Sequence, residues 1–298
     1  MMRIDLAQLS AFAAVVEEGS FEAAARRLHV TPSAVSQRVK ALESRLGRVL
    51  VSRTRPAGAT DAGQLLARYA RQVRLLESEA LSGLASDDVE VRLAVAVNAD
   101  SLATWFLPAL TGLADGRGAR FELHQEDQDH SATLLREGAV MAAVTADPHA
   151  VQGCGVRPLG RMRYLGVATP AFARRWFPDG PAAAAFAAAT SLLLNRKDAL
   201  QDRFVRELTG RRIVLPVTVV PTSHGFAEAT ILGLAWALLP ESMARPALDD
   251  GRLVEIAPGR HLDVPLYWQR WKLASPLLDE LTDAVVAAAA GQLRAPKP

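Results

Sequence analysis

The sequence predicts an α/β protein that carries an all-α head of winged helix-turn-helix type, a long linker helix and a two-lobed α/β domain. Three observations support this prediction. A short helix, a turn and a basic helix follow one another between Ser20 and Leu46. A proline-free stretch with heptad spacing begins at Thr60 and can run to about Ser82. Beyond residue 90, apolar strand-like runs alternate with helical patterns, as they do in α/β domains.

Two predicted helices open the head. In the first, apolar residues recur at helical spacing over Leu6–Val16. The second begins at Ser20 and Phe21, and His29 and Val30 make the turn that follows it. We expect these two helices to support the helix that comes after the turn.

The helix after the turn is predicted to read DNA. Thr31 is a good N-cap, and Pro32 suits the first helical position, where its missing N–H costs nothing. Apolar residues at spacings of four, three and four give it one buried face, made of Val35, Val39, Leu42 and Leu46. The other face has short hydroxyls and an amide near its start and cations further along, which suit base edges and phosphates. The predicted DNA contacts are Thr31, Pro32, Ser33, Ser36, Gln37, Arg38 and Lys40, together with Arg53 and Arg55 from the segment that follows.

A small hairpin, or wing, is predicted after this recognition helix. The segment VLVSRTRPAGAT contains β-branched residues followed by Pro56 and Gly58, which favour a turn. Arg53 and Arg55 would lie on the wing, within reach of the DNA backbone or a narrow minor groove. Residues 20–60 hold eight cations and two acids, a net charge of +6, whereas the whole chain carries only +2. This concentration of charge favours phosphate binding over an ordinary solvated helix.

The linker helix is predicted to form a dimer. Leu66, Tyr69, Val73 and Leu76 follow spacings of three, four and three, which is a heptad seam. The alternative is a helix that packs on its own domain. The dimer is favoured because a small three-helix head has little other surface for the seam, and because helix-turn-helix proteins usually read paired half-sites.

A different pattern follows a hinge predicted at Gly83–Asp88. Strands are expected at 91–98, 121–127, 141–147, 191–195, 213–220 and 236–240, with VRPLG and RMRYLGVAT continuing the alternation, and helices at about 101–113, 132–138 and 276–293. The alternation predicts mostly parallel sheets in two halves. The predicted domains are a head at 1–59, a linker helix and hinge at 60–86, and a sensor domain at 87–298, with lobe I at about 87–160 plus 267–298 and lobe II at about 161–266.

The effector site is predicted beyond the carboxyl ends of the strands, where open α/β sheets bind ligands. A helix starting near Ser101 would offer N–H groups and a positive dipole end to a carboxylate. The nearby acids suit a cation, and a basic amino acid needs both. The alternative is that Asp100 is only an N-cap and the acids at 126–129 form a solvated turn. The predicted effector residues are Asn98, Asp100, Ser101, Glu126, Asp127, Thr145, Asp147, Ser223 and His224.

Composition and motifs argue against several classes of protein. The single cysteine, Cys154, permits no internal disulfide framework, fits a reducing cytoplasm and is interpreted as a buried small hydrophobe. Neither a signal peptide nor a membrane-spanning run is expected. No G-x-S-x-G, Walker or H-E-x-x-H motif occurs, so neither an enzyme nor a cofactor is expected. His124, Asp127 and His130 have only a loose metal-like spacing, and surface histidines are the better interpretation.

The predicted head and the start of the linker helix resemble the LysR-type transcriptional regulators. The match runs from Leu6 to Gly63 through DLAQLSAFAAVVEEGSF, AAARRLHVTPSAVSQRVKALESRLG and VLVSRTRPAGATDAG. Val51 and Ala59 depart from the family's usual Phe and Leu, but neither faces the DNA. The strings NADSLATWFLPAL and LYWQRW resemble segments of the family branch that controls export of basic amino acids.

The resemblance implies a sensor domain like a periplasmic binding protein, and lysine or arginine as the effector. It also implies a homodimer or tetramer on double-stranded DNA, an exporter gene as the target, RNA polymerase as a further partner, and a cytoplasmic, nucleoid-associated location. The alternative function is an effector-independent architectural DNA-binding protein. A solute-binding protein of transport is a third reading, which the missing signal peptide and the basic head oppose.

Overall fold

The structure is a computed structural model that describes residues 3–52, 54–82, 84, 91–117, 119–125 and 131–295. Of the predicted site residues, Arg53, Glu126 and Asp127 lie outside the described part of the chain. Asp129, His130 and all of the predicted hinge except Leu84 also lie outside it.

The head has the three helices and the wing that its sequence predicts. They are α1 (Leu6–Glu18), α2 (Phe21–Arg27), α3 (Pro32–Leu46) and the antiparallel strands β1 (Val51–Ser52) and β2 (Gly58–Ala59). Ser20 and Thr31 cap α2 and α3, since their hydroxyls accept hydrogen bonds from the backbone N–H three residues on. His29 makes the turn between them with a positive φ of 53°.

The wing is fastened to both neighbouring helices. Glu43 of α3 accepts hydrogen bonds from the backbone N–H groups of Leu50 (2.8 Å) and Val51 (3.3 Å). A Cβ at Gly63 would lie 2.1 Å from the carbonyl oxygen of Leu50, so only glycine permits this approach of the next helix to the wing. The wing therefore has a fixed position relative to α3.

The linker helix, α4 (Asp61–Ser82), packs on both the head and the sensor domain of its own chain. Thr60 caps it by accepting a hydrogen bond from the N–H of Gly63, as the sequence predicts. Leu66 belongs to the core of the head, and Leu75 belongs to the core of the sensor domain. Farther along, Glu79 accepts hydrogen bonds from the hydroxyl of Ser275 (2.7 Å) and the N–H of Leu277 (3.0 Å).

The strands of the sensor domain are β3 (Arg92–Val97), β4 (Arg120–Gln125), β5 (Ala142–Thr145), β6 (Cys154–Ala168), β7 (Ser191–Leu193), β8 (Val217–Val219), β9 (Ala237–Pro240), β10 (Val254–Glu255) and β11 (His261–Trp271). Seven of them form one sheet in the order β10-β6-β11-β5-β3-β4, with β9 also paired to β6. Its parallel pairs are β3 with β4 and β3 with β5, and its other pairs are antiparallel.

The prediction of mostly parallel sheets is therefore wrong. Strands β6 and β11 are long, and all of β11 pairs antiparallel with β6, from His261 opposite Leu165 to Trp271 opposite Cys154. Because both strands run through both halves of the domain, they join the halves in one sheet. The small parallel pair β7 and β8 lies in the second half.

The helices of the sensor domain are α5 (Ala99–Ser101), α6 (Pro108–Arg117), α7 (Ser131–Glu137), α8 (Pro170–Trp176), α9 (Ala183–Ala188), α10 (Leu200–Thr209), α11 (Ser223–Ile231), α12 (Glu241–Asp249) and α13 (Pro276–Gln292). The single helix predicted from Ser101 is interrupted instead. A π-helical segment, Leu102–Phe106, follows α5, and α6 begins afresh at Pro108, which has no N–H to continue the ladder.

Two further features concern the cysteine and the apolar character of the helices. Cys154 is buried and unpaired, as expected, and desolvation by this burial raises the pKa of its thiol to about 11. No helix in the described part of the chain is both long and apolar enough to span a membrane.

Candidate DNA interface and effector cleft

The predicted DNA contacts that the structure describes lie on the outer side of α3 and on the wing. Thr31, Pro32, Ser33, Gln37, Lys40 and Arg55 are exposed, and Ser36 and Arg38 are half-buried. The opposite side of α3 is held in the core of the head by Val35, Val39 and Leu42. The hydroxyls and the amide therefore stand at the start of an outward-facing helix, which is the geometry of a helix that enters a major groove.

The exposed apolar stripe of α4 differs from the predicted seam. Leu66 is only 8% exposed and Val73 is half-buried, and both pack in the core of their own head. Tyr69 and Leu76 are 44% and 38% exposed. The four-residue seam is thus divided between two sides of the helix. Leu66 and Val73 face the head of the same chain, whereas Tyr69 and Leu76 face outward. Leu65 and Leu81 extend the outward-facing stripe.

A cleft of about 870 Å³ opens between the two halves of the sensor domain. Asn98 and Asp100, which follow β3, line it from one side, and the segment after β7 lines it from the other. Ser223 at the start of α11 also lies in its wall. Three predicted effector residues are therefore brought together at strand ends, as the general rule for α/β sheets leads one to expect.

Asp100 is the polar centre of the cleft. One carboxylate oxygen accepts a hydrogen bond from the Tyr164 hydroxyl (2.7 Å) and the other accepts one from the Ser223 hydroxyl (2.8 Å). Desolvation raises the pKa of this carboxyl, and the charge of Asp198 adds to the rise, although the two hydrogen bonds oppose it. Asn98 occupies the N-cap position of α5, so the alternative that Asp100 is only an N-cap is wrong.

Two buried amide oxygens in the cleft wall have no hydrogen-bond donor in the described part of the chain. They are Oδ1 of Asn98 and Oε1 of Gln201, in side chains that are 3% and 1% exposed. A buried acceptor left unpaired costs about 1–3 kcal/mol. The cleft therefore favours a ligand that brings N–H groups.

Sequence reasoning missed the charged wall opposite Asp100. It contains the acids Asp198 and Asp202 and the cations Lys197, Arg203, Arg206 and Arg212. Both signs of charge are thus available to one ligand. Most of these residues follow β7 in the segment NRKDALQDRFVR, so the strand-end rule could have indicated them.

The remaining described effector candidates do not line the cleft. Ser101 is fully buried as the last residue of α5, and its hydroxyl has no partner in the described residues, so it does not open a helix toward a ligand. Thr145 is buried and accepts a hydrogen bond from the N–H of Asp147, while His224 is exposed. Asp147 accepts hydrogen bonds from the N–H and ring of His149, which lower the pKa of its carboxyl.

The loose metal-like spacing gains no support from the described residues. His124 lies 3.1 Å from a carboxylate oxygen of Glu122 on the same strand. No group of three potential metal ligands occurs within the ranges that the structure describes. Asp127 and His130 fall outside those ranges.

A basic helix-turn-helix head joined to a two-lobed domain with a polar cleft defines a class, the ligand-responsive transcriptional regulators. Residues 6–64 match the bacterial regulatory helix-turn-helix protein, lysR family, and residues 86–290 match the LysR substrate binding domain. The chain belongs to the LysR family of transcriptional regulators, which are not enzymes.

The chain is similar over nearly its full length to regulators called LysG. It is 52% identical to the HTH-type transcriptional regulator LysG of Mycobacterium tuberculosis (strain ATCC 25618 / H37Rv), covering 98% of this chain and 96% of the relative. It is 46% identical to the lysine export transcriptional regulatory protein LysG of Corynebacterium glutamicum, covering 96% and 98%. A solved structure of full-length LysG from C. glutamicum with bound effector Arg matches with a TM-score of 0.81 at 44% identity, covering 98% and 100%. The chain is thus a LysG-like transcriptional regulator.

Proposed function

We propose that lysine or arginine is the effector of this regulator and that it controls a gene for the export of basic amino acids. The observation that carries the proposal is the cleft around Asp100. It combines a desolvated carboxylate with two unpaired amide oxygens, and all of these groups accept hydrogen bonds from a cation. The bound arginine of the C. glutamicum relative and that relative's role in lysine export support the same assignment.

In the proposed complex, the side-chain cation of the effector lies near Asp100, Asn98 and Gln201. Its carboxylate lies toward the cationic wall formed by Lys197, Arg203, Arg206 and Arg212. A ligand that places both groups at once bridges the two halves of the domain. Such a bridge favours one arrangement of the lobes over others, which an effector must do to change activity.

The head is proposed to bind its operator as part of a homodimer, or of a tetramer built from two dimers. Ser33, Ser36 and Gln37 contact base edges, and Arg38, Lys40, Arg53 and Arg55 contact phosphates or the minor groove. The domain limits remain those predicted from the sequence, at 1–59, 60–86 and 87–298. We also propose a nucleoid-associated, cytoplasmic location and contact with RNA polymerase at the promoter.

Isothermal titration of the full chain tests the effector. Lysine, arginine and histidine are compared with norleucine, which has nearly the shape of lysine but no side-chain ammonium. We expect lysine or arginine to bind at least about tenfold more tightly than norleucine, which is about 1.4 kcal/mol. Equal binding of norleucine would contradict a basic effector. If no amino acid binds at millimolar concentration, the effector-independent architectural function becomes the better proposal.

A further inference from the structure

A second cavity, distinct from the effector cleft, lies between the start of α12 and the end of α13. Its volume is about 410 Å³, which is within the range of small-molecule sites. Three arginines, Arg163, Arg245 and Arg294, lie in its wall with a single acid, Glu241. We call it the α12–α13 cavity, and we propose that it binds a small dianion that carries phosphate or carboxylate groups.

Each carboxylate at this cavity is shared between two guanidinium groups. The carboxylate of Glu241 forms salt bridges with the guanidinium groups of Arg245 (2.7 Å) and Arg294 (2.6 Å). The carboxylate of Asp263, just outside the wall, forms salt bridges with the guanidinium groups of Arg161 (2.7 Å) and Arg163 (2.9 Å). Counted alone, the four arginines and two acids leave a net charge of +2, which favours an anion, although Asp249 and Glu255 also act on Arg245.

The two clusters are held side by side by the end of the chain. The backbone N–H of Arg161 donates to the carbonyl of Arg294 (2.8 Å), and the N–H of Arg294 donates back to the carbonyl of Arg161 (3.0 Å). The side chain of Arg161 also donates to the carbonyl of Ala295 (3.1 Å). These bonds fix the backbone of Arg294 beside Arg161, while the paired side chains of Arg245 and Arg294 stay 49% and 52% exposed and can reach a ligand.

The wall also offers hydrogen-bond donors other than the arginines. The N-cap position of α12 is Pro240, which provides no side-chain cap for the amides of the first turn. The indole N–H of Trp105 is buried in the same wall without a partner. A helix N-terminus beside arginines is a favourable environment for phosphate or carboxylate.

The cavity adjoins the effector cleft without being part of it. Pro240 lines both spaces, and Thr104 of the cavity wall donates a hydrogen bond to the carbonyl oxygen of Asp100 (2.6 Å). A bound dianion would thus contact the segment that carries Asp100. Its binding can still be measured with the effector cleft empty, so the proposal is independent of the identity of the effector.

The test is isothermal titration of the full chain with inorganic phosphate and, separately, with succinate, at low ionic strength and without amino acids. We expect binding of at least one dianion, and at least tenfold weaker binding by Arg245→Gln and by Arg294→Gln. The matched control is Arg252→Gln, since Arg252 pairs with Asp250 and is 51% exposed, against 49% for Arg245, but lies outside the cavity. The dianion that binds identifies phosphate or carboxylate as the preferred group.

A second variant guards against an effect of charge on folding. Gly291 lines the cavity at the end of α13, and a Cβ there meets no heavy atom within 4 Å, so Gly291→Leu narrows the space while favouring the helix. We expect this variant also to weaken binding. The proposal is overturned if neither dianion binds the natural chain at about 20 mM, or if Arg252→Gln weakens binding as much as the cavity variants do.

Discussion

At the scale of single residues, Asp100 shows what a sequence can and cannot indicate. Its position after a buried strand predicts a place at the ligand site, and it lines the cleft between the two halves of the sensor domain. Its hydrogen-bond partners, Tyr164 and Ser223, are 64 and 123 positions away along the chain. Local spacing carries no information about such pairs, because they depend on how the folded domain brings β6 and α11 beside α5. The same limit explains why Thr145 and Asp147, which also follow a buried strand, do not line the cleft.

The raised pKa of Asp100 predicts that effector affinity depends on pH. A bound cation stabilises the ionised carboxylate and so lowers the raised pKa of Asp100, and binding releases protons at any pH where the empty cleft is partly protonated. Affinity should therefore fall as the pH is lowered through the raised pKa, at a higher pH than an ordinary aspartate would require. Titrations in two buffers of different ionisation enthalpy measure the released proton. An affinity that is constant over this pH range would contradict a cation at Asp100.

Asp100→Asn should weaken lysine or arginine binding by roughly tenfold to a hundredfold, because it removes a charge partner from a partly desolvated site. The remaining affinity should lose the pH dependence described above. Operator binding without effector should be unchanged, as measured by gel shift. Asp250→Asn is the control, since that acid pairs with Arg252 on the surface. Equal losses in both variants would indicate a non-specific effect of charge.

On the recognition helix, Gln37 and Arg38 should have different effects on DNA binding. Gln37→Ala should cost about 1–3 kcal/mol on the cognate operator and relax sequence preference, because a base-edge contact is lost. Arg38→Ala should weaken all sequences alike and reduce the slope of affinity against salt by about one. Fluorescence anisotropy on an operator selected from a random library measures both. Unchanged binding by both variants would remove α3 as the reading helix.

At the scale of elements, capping residues and apolar periodicity predicted where helices begin and end more accurately than which face of a helix is buried. The start of α3 at Pro32 and the extent of α4 are as predicted, because caps and helical spacing act within a few residues. The sequence could not indicate which side of α4 meets the head. It also divided β6 in two, since Pro158 and Gly160 interrupt the apolar pattern. In the structure they lie at an irregularity in the pairing with β11, where such residues are tolerated in strands.

The division of the α4 seam predicts different effects at Leu76 and Val73. Leu76→Glu should dissociate the proposed dimer at micromolar concentration, because it would place an unpaired carboxylate between two helices. Val73→Glu should instead lower the melting temperature of the head, whose core Val73 contacts. Sedimentation velocity and thermal unfolding by circular dichroism separate these effects. Glu77→Ala, at an exposed position on the same helix, should change neither. A fully dimeric Leu76→Glu variant would exclude the outward stripe as the dimer contact.

At the scale of the whole molecule, α4 connects what binds DNA to what binds the effector. The core of the head includes Leu66 and Ala70 from its first half, and farther along the helix Arg74 pairs with Glu17 of α1 at 3.0 Å. The same helix is also attached to the sensor domain, where Arg71 donates a hydrogen bond to the carbonyl oxygen of Gly138 and Glu79 accepts hydrogen bonds from Ser275 and Leu277. A change in the sensor lobes can therefore alter the placement of the head only if these attachments persist.

Glu79→Ala should uncouple the effector from DNA without affecting either binding site. Glu79 lies outside the cleft and outside the DNA surface, so effector affinity and operator affinity should each stay within about twofold of the natural chain, a difference of about 0.4 kcal/mol. An effector acts by its different affinity for two arrangements of the molecule, and loss of a contact that links the lobes to α4 reduces that difference. DNase footprints with and without saturating arginine should therefore differ less in Glu79→Ala than in the natural chain. Glu77→Ala is the matched control on the same helix and should respond fully. If Glu79→Ala shows the full effector-dependent change in footprint, the signal passes by contacts other than those of Glu79 with Ser275 and Leu277.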